Sequence, residues 1–118
     1  MPVRGLFINA TERRSLDAGE VLFSEGDLGT EMFGVVTGQI ELRHGNGVVE
    51  TLGPDQTFGE MDIIDHSPRS LTAVASEPSE IAVINERTFL FLVHETPTFA
   101  LQVMRSLTER VRHLGFRS

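Results

Sequence analysis

At 118 residues, with 40% apolar and 23% charged positions, the chain is long enough for one hydrophobic core and too short for two. A net charge of −7 argues against a nucleic-acid surface, and the absence of cysteine excludes disulfides, thiolate nucleophiles and Cys-held metal centres. No apolar run is long enough to span a membrane and the N-terminus lacks a signal-peptide core, so a cytoplasmic domain is expected.

From about Ser15 to Asn85 the chain is a succession of short β-like runs broken by glycine: Glu20–Phe23, Met32–Thr37, Gln39–His44, Val48–Leu52, Ser70–Ser76 and Glu80–Ile84. Many short strands with glycine-rich turns point to a sandwich or roll, not a parallel α/β sheet. Gln39-Ile40-Glu41-Leu42-Arg43 alternates, which predicts one buried and one wet face. Gly38 marks a tight connection, and His-Gly-Asn-Gly at 44–47 marks a hairpin in which Asn-Gly tolerates positive φ.

After Asn85 the period changes. Asn85 caps a helix beginning at Glu86, with Phe89, Leu90, Leu92 and Val93 on its apolar side. Thr96-Pro97 restarts a second helix, whose stripe is Phe99, Val103, Leu107, Val111 and Leu114. The arginines of this tail (Arg105, Arg110, Arg112, Arg117) read as a solvated helix face. His44, His66, His94 and His113 are not at ligand spacing, which argues against a metal site and against a metal-dependent jelly-roll enzyme.

The stretch with chemistry in it is Phe58-Gly59-Glu60-Met61-Asp62 through Ser67-Pro68-Arg69-Ser70. A glycine before a short helical turn bares backbone amides that suit an anion. The arginine adds a fork matched to phosphate oxygens. A glutamate cannot bind phosphate but accepts from a hydroxyl, so the three together suggest a sugar phosphate. The competing reading of Glu60 and Arg69 is an ordinary ion pair at a loop.

This segment resembles the phosphate-binding cassette of the cyclic-nucleotide-binding domain family, which includes catabolite activator proteins, protein kinase A regulatory subunits and cyclic-nucleotide-gated channels. Ala18–Phe23, Glu25-Gly26-Asp27, Met32–Gly38, Leu52-Gly53-Pro54 and the tail from Phe89 to Met104 resemble the family elsewhere, so the likeness runs from about Leu16 to Leu114. The resemblance implies a mainly β jelly-roll (double-stranded β-helix) with a short N-terminal helical segment and two C-terminal helices. It implies one domain over 1–118, the roll about 15–85 and the closing helices about 86–95 and 97–114. It implies cAMP or cGMP as ligand, with no further cofactor. Glu60 would accept the ribose 2′-hydroxyl and Arg69 would pair with the cyclic phosphate. Amides near Met61, Asp62 and Ser70 would complete the cradle, Phe58 and Gly59 belong to the same segment, and Leu114 or Phe116 would cover the base. Arg69→Ala is then expected to silence binding and leave the fold intact.

The chain departs from the family pattern at Asp62, where a small neutral residue is usual, and at Leu71, where alanine is. The base-covering region has no hydroxyl, which leaves adenine and guanine undecided. No catalytic constellation and no output domain are visible up to Ser118. The expectation is a stand-alone regulatory module, not an enzyme, in which ligand orders residues 58–70 and repositions the last helix. A protein partner or a weak homodimer, with Leu101 and Met104 as anchors if exposed, would receive the signal. The alternative is a degenerate member that serves as a protein–protein interaction domain without binding nucleotide.

Overall fold

The computed structural model describes Phe7 and residues 10–113, apart from the side chains of Asp62 and His113. Its elements in chain order are β1 (Arg13–Leu16), β2 (Val21–Phe23), β3 (Glu31–Thr37), β4 (Ile40–His44), β5 (Gly47–Leu52), β6 (Thr57–Phe58), α1 (Met61–Ile64), β7 (Thr72–Ala75), β8 (Ser79–Asn85), α2 (Glu86–Glu95) and α3 (Thr98–His113). The strands form two antiparallel four-stranded sheets, ordered β1-β8-β3-β6 and β2-β7-β4-β5.

The apolar pattern explains why the sheets stack. In β4, Ile40 and Leu42 are buried, while Glu41 and Arg43 pair across the outer face at 2.6 Å. In β3 and β8 the alternation breaks down, because that sheet is covered on both faces. Phe33, Val35, Ile81 and Val83 face the core between the sheets, whereas Met32, Ala82 and Ile84 pack outward against Phe7, Phe99 and Val103. Gly34 sits beneath the Phe7 ring, which would lie 2.5 Å from a Cβ placed there. Each large side chain so buried contributes roughly 1.5–3 kcal/mol.

The hairpin between β4 and β5 forms where expected, with His44 paired to Gly47. The positive φ, however, falls on Gly45 (59°), not on Asn46 or Gly47. One strand, β1, lies outside the expected runs, and β6 is the short strand that ends at Phe58 just ahead of Gly59. β1 has two exposed arginine-serine positions before its one buried residue, and β6 is two residues long. The run expected at Ser70–Ser76 shortens to Thr72–Ala75 because the Arg69 backbone is engaged elsewhere: it pairs with the Gly26–Asp27 turn.

α2 has the expected bounds, and the Asn85 side chain accepts from the Thr88 amide at 2.9 Å. Phe89, Leu92 and Val93 pack on the outer core. Leu90, expected beside them, is 61% exposed, since one residue turns it about 100° away from Phe89. α3 was expected over 97–114 and is helical over Thr98–His113. Leu114 and the expected N-terminal helical segment, apart from Phe7, fall outside the described residues. No helix among the described residues is long and apolar enough to cross a membrane.

Candidate functional site

Between β2, β4, the α1 segment and α3 lies a cavity of about 90 Å³. Its walls combine apolar side chains (Phe23, Leu42, Leu71, Leu107, Val111) with Glu60, Arg69, Ser70 and Arg110.

Arg69 is placed by backbone before it is placed by side chain. Its amide donates to the Asp27 carbonyl and its carbonyl accepts from the Gly26 amide, both at 2.8 Å. Upstream, Asp65 closes the corner after α1 by accepting from the Ser67 amide at 3.0 Å and hydroxyl at 2.6 Å, bonds that hold its pKa below the usual carboxylate value. The Arg69 guanidinium then lies 4.2 Å from the Phe23 ring centroid, and donates to the carbonyls of Gly59 at 2.9 Å and Glu31 at 2.8 Å. Aromatic stacking and two fixed carbonyls hold the fork against the cavity wall.

Gly59 is required by this packing. Its φ is +78°, and a Cβ would come within 2.7 Å of Arg69 Nη1. Gly59→Ala therefore combines left-handed strain of about 1–2 kcal/mol with displacement of the arginine. The expected outcome is a lowered melting temperature together with loss of ligand affinity, read by thermal unfolding and calorimetry. A stable variant with unchanged affinity would contradict this role for Gly59.

Glu60 follows at the start of α1 and is 1% exposed. Oε1 accepts from Arg110 Nη1 at 2.5 Å, whereas Oε2 is buried with no hydrogen-bond partner among the described residues. Burial raises the Glu60 pKa, and this outweighs the lowering effect of the Arg110 charge. Arg110 is the converse case. Burial would lower its pKa, but the Glu60 and Glu50 carboxylates prevail and raise it. Each nitrogen of its fork is engaged: besides Nη1 on Glu60, Nε donates to Glu50 at 2.7 Å and Nη2 to the Thr57 carbonyl at 3.0 Å and the Ser106 hydroxyl at 2.9 Å.

Of the residues singled out in the sequence, Gly59, Glu60, Met61, Arg69 and Ser70 all line the cavity. Ser70 and Met61 face each other there, the hydroxyl 3.7 Å from the sulfur. Phe58 lies beneath, fully buried and stacked on Phe33 with centroids 5.4 Å apart. Leu71 both packs in the core and lines the cavity. The Asp62 side chain and Leu114 are outside the described set. Among the described residues Glu60 forms its ion pair with Arg110, whereas Arg69 donates to the carbonyls of Gly59 and Glu31.

Residues 13–96 match the family model described as "Cyclic nucleotide-binding domain". The chain belongs to this family. The cyclic AMP receptor protein of Thermus thermophilus is 33% identical over a 112-residue alignment that covers 91% of this chain and 52% of that protein. The crystal structure of the Thermus thermophilus catabolite activator protein aligns with a TM-score of 0.73 at 31% identity, over 87% of this chain and 51% of that one. A structure reported with a cyclic-GMP-dependent signalling pathway in bacterial phytopathogenesis is 34% identical, with a TM-score of 0.73 over 96% of this chain and 92% of its own. This cyclic nucleotide-binding domain thus spans about half the length of the Thermus receptor. The two stacked antiparallel sheets closed by helices are the jelly-roll of these neighbours.

Arg110 is the site residue that the sequence reading missed, having been placed on a solvated face. Its side chain is only 11% exposed. The signal was present in the helical period. Arg110 is seven residues after Val103, two turns on and within about 20° of it, on the stripe that faces the core.

Proposed function

We propose that this cavity binds a cyclic nucleotide and that the domain is a regulatory sensor of it. The observation that carries the reading is Glu60 Oε2, a buried acceptor with no hydrogen-bond partner among the described residues, in the same wall as the Arg69 fork. A buried unpaired oxygen is costly, and a ribose 2′-hydroxyl donating to it removes that cost. Arg69 supplies the charge-assisted contact to the cyclic phosphate, supported by amides at the start of α1 and at Ser70. Phe23, Leu71, Leu107 and Val111 offer apolar cover for the sugar and base.

At about 90 Å³ the cavity is smaller than the roughly 300 Å³ or more of typical ligand pockets. Three of its walls, Leu107, Arg110 and Val111, belong to α3. Ligand entry therefore moves α3 outward, and the free energy of binding is coupled to the helix position. Leu101 and Met104 on α3 are 47% and 54% exposed, which suits them to receive that movement in a protein partner or a second copy.

Calorimetric titration with cAMP and, separately, cGMP tests the reading. One-to-one binding of at least one of them is the expected result. Silence with both, from a sample whose folding is verified by circular dichroism, would replace the sensor with a nucleotide-independent interaction module.

A further inference from the structure

We propose that Glu50 reads the base and makes the site select guanine over adenine. This inference rests on the cyclic-nucleotide reading of the same cavity. The register of β5 brings the carboxylate against Arg110, which lines the cavity. In the register, Glu50 lies opposite Leu42, a cavity-lining residue, and directly opposed residues of an antiparallel pair share a face. The ladder is also irregular between Leu42 and Arg43, so that Val49 is an extra residue. The irregularity turns Val49 inward too: it packs on the core between the sheets, while Glu50 reaches Arg110. Such bulges re-aim side chains beside binding sites.

The direction of the ligand follows from its covalent structure. In a 3′,5′-cyclic nucleotide the 2′-hydroxyl sits between C1′, which bears the base, and C3′, which bears the phosphate. With the hydroxyl on Glu60 and the phosphate on Arg69, the base leaves the sugar past the other neighbours of Glu60. Those neighbours are Arg110 and, through the same guanidinium, Glu50. Glu50 Oε1 is held by Arg110 Nε at 2.7 Å, and no other partner of this carboxylate is present among the described residues. A carboxylate only accepts. Guanine offers two adjacent donors, N1–H and the 2-amino group, matched to its two oxygens. Adenine presents an acceptor at N1, which the carboxylate repels, beside a single amino group.

The test is calorimetry of the intact chain and of Glu50→Gln with cGMP, cAMP and cyclic inosine monophosphate, which keeps N1–H but lacks the 2-amino group. The unmodified chain is expected to prefer cGMP over cAMP by about tenfold or more, with the inosine nucleotide between them. Glu50→Gln is expected to weaken cGMP by about tenfold and to leave cAMP within about threefold. Equal affinities in the unmodified chain, a preference for cAMP, or equal weakening of both ligands in the variant would overturn the role of Glu50 while leaving the nucleotide site standing. Binding of none of the three would instead remove the nucleotide reading and this inference with it. The nucleotide series on the unmodified chain needs no variant, so a poorly folding Glu50→Gln does not protect the proposal.

Discussion

Replacing Arg69 by lysine is expected to cut cyclic-nucleotide affinity by two to three orders of magnitude, because truncating a partly buried charged contact costs on the order of 2–5 kcal/mol. Lysine keeps the charge and removes the planar fork, which is the feature the phosphate requires. Alanine is the less informative change. The sequence alone leads one to expect that Arg69→Ala spares the fold, and the packing contradicts this. The side chain is 8% exposed, stacks on Phe23 and satisfies the carbonyls of Gly59 and Glu31. Orphaning one such buried carbonyl costs about 1–3 kcal/mol. Arg69→Ala is therefore expected to lose both binding and several degrees of melting temperature. Paired thermal unfolding and calorimetry separate the two effects in Arg69→Lys. Unchanged affinity in the lysine variant would move the phosphate away from Arg69.

The cassette was legible because its chemistry is local. Gly59 and Glu60 precede Arg69 by ten residues or fewer, and the residue types already imply an anion beside a hydroxyl acceptor. The strands with clean alternation or dense β-branched runs were legible for the same reason, as was the Asn85 cap. The missing parts depend on neighbours distant in the chain. β1 exists because β8 offers an edge to Arg13–Leu16, not because its own residues alternate. Arg110 is buried because carboxylates fifty and sixty residues away meet it. A charged side chain on an apolar stripe suggests solvent until its partners are known. Glu50 is the same problem on a strand: alternation with Leu52 sets it on the inner face, where a carboxylate makes sense only once its distant partner Arg110 is known.

Arg110→Met is expected to destabilise the domain by about 3–5 kcal/mol at neutral pH, since removing one partner leaves the other charge buried and uncompensated. Methionine retains an apolar stem of similar length, so the loss reports the fork and not a cavity. The loss depends on pH with a definite sign. The Glu60 pKa is already raised by burial against the lowering pull of Arg110. Without that pull it rises further. A carboxyl whose pKa is higher in the folded chain holds its proton more tightly there, so stability is fullest below the unfolded value and falls as pH rises through the folded one. The deficit of Arg110→Met is thus greatest at about pH 8 and shrinks toward pH 5 as Glu60 takes up its proton. Urea denaturation at both pH values measures it. Adding Glu60→Gln to the variant supplies a neutral side chain of the same shape that needs no cation. The double variant is expected to recover much of the lost stability and to lose the pH dependence. A deficit that stays constant from pH 5 to pH 8 would mean that the Glu60 carboxylate finds solvent once Arg110 is gone, and that α3 closes the cavity by apolar packing alone.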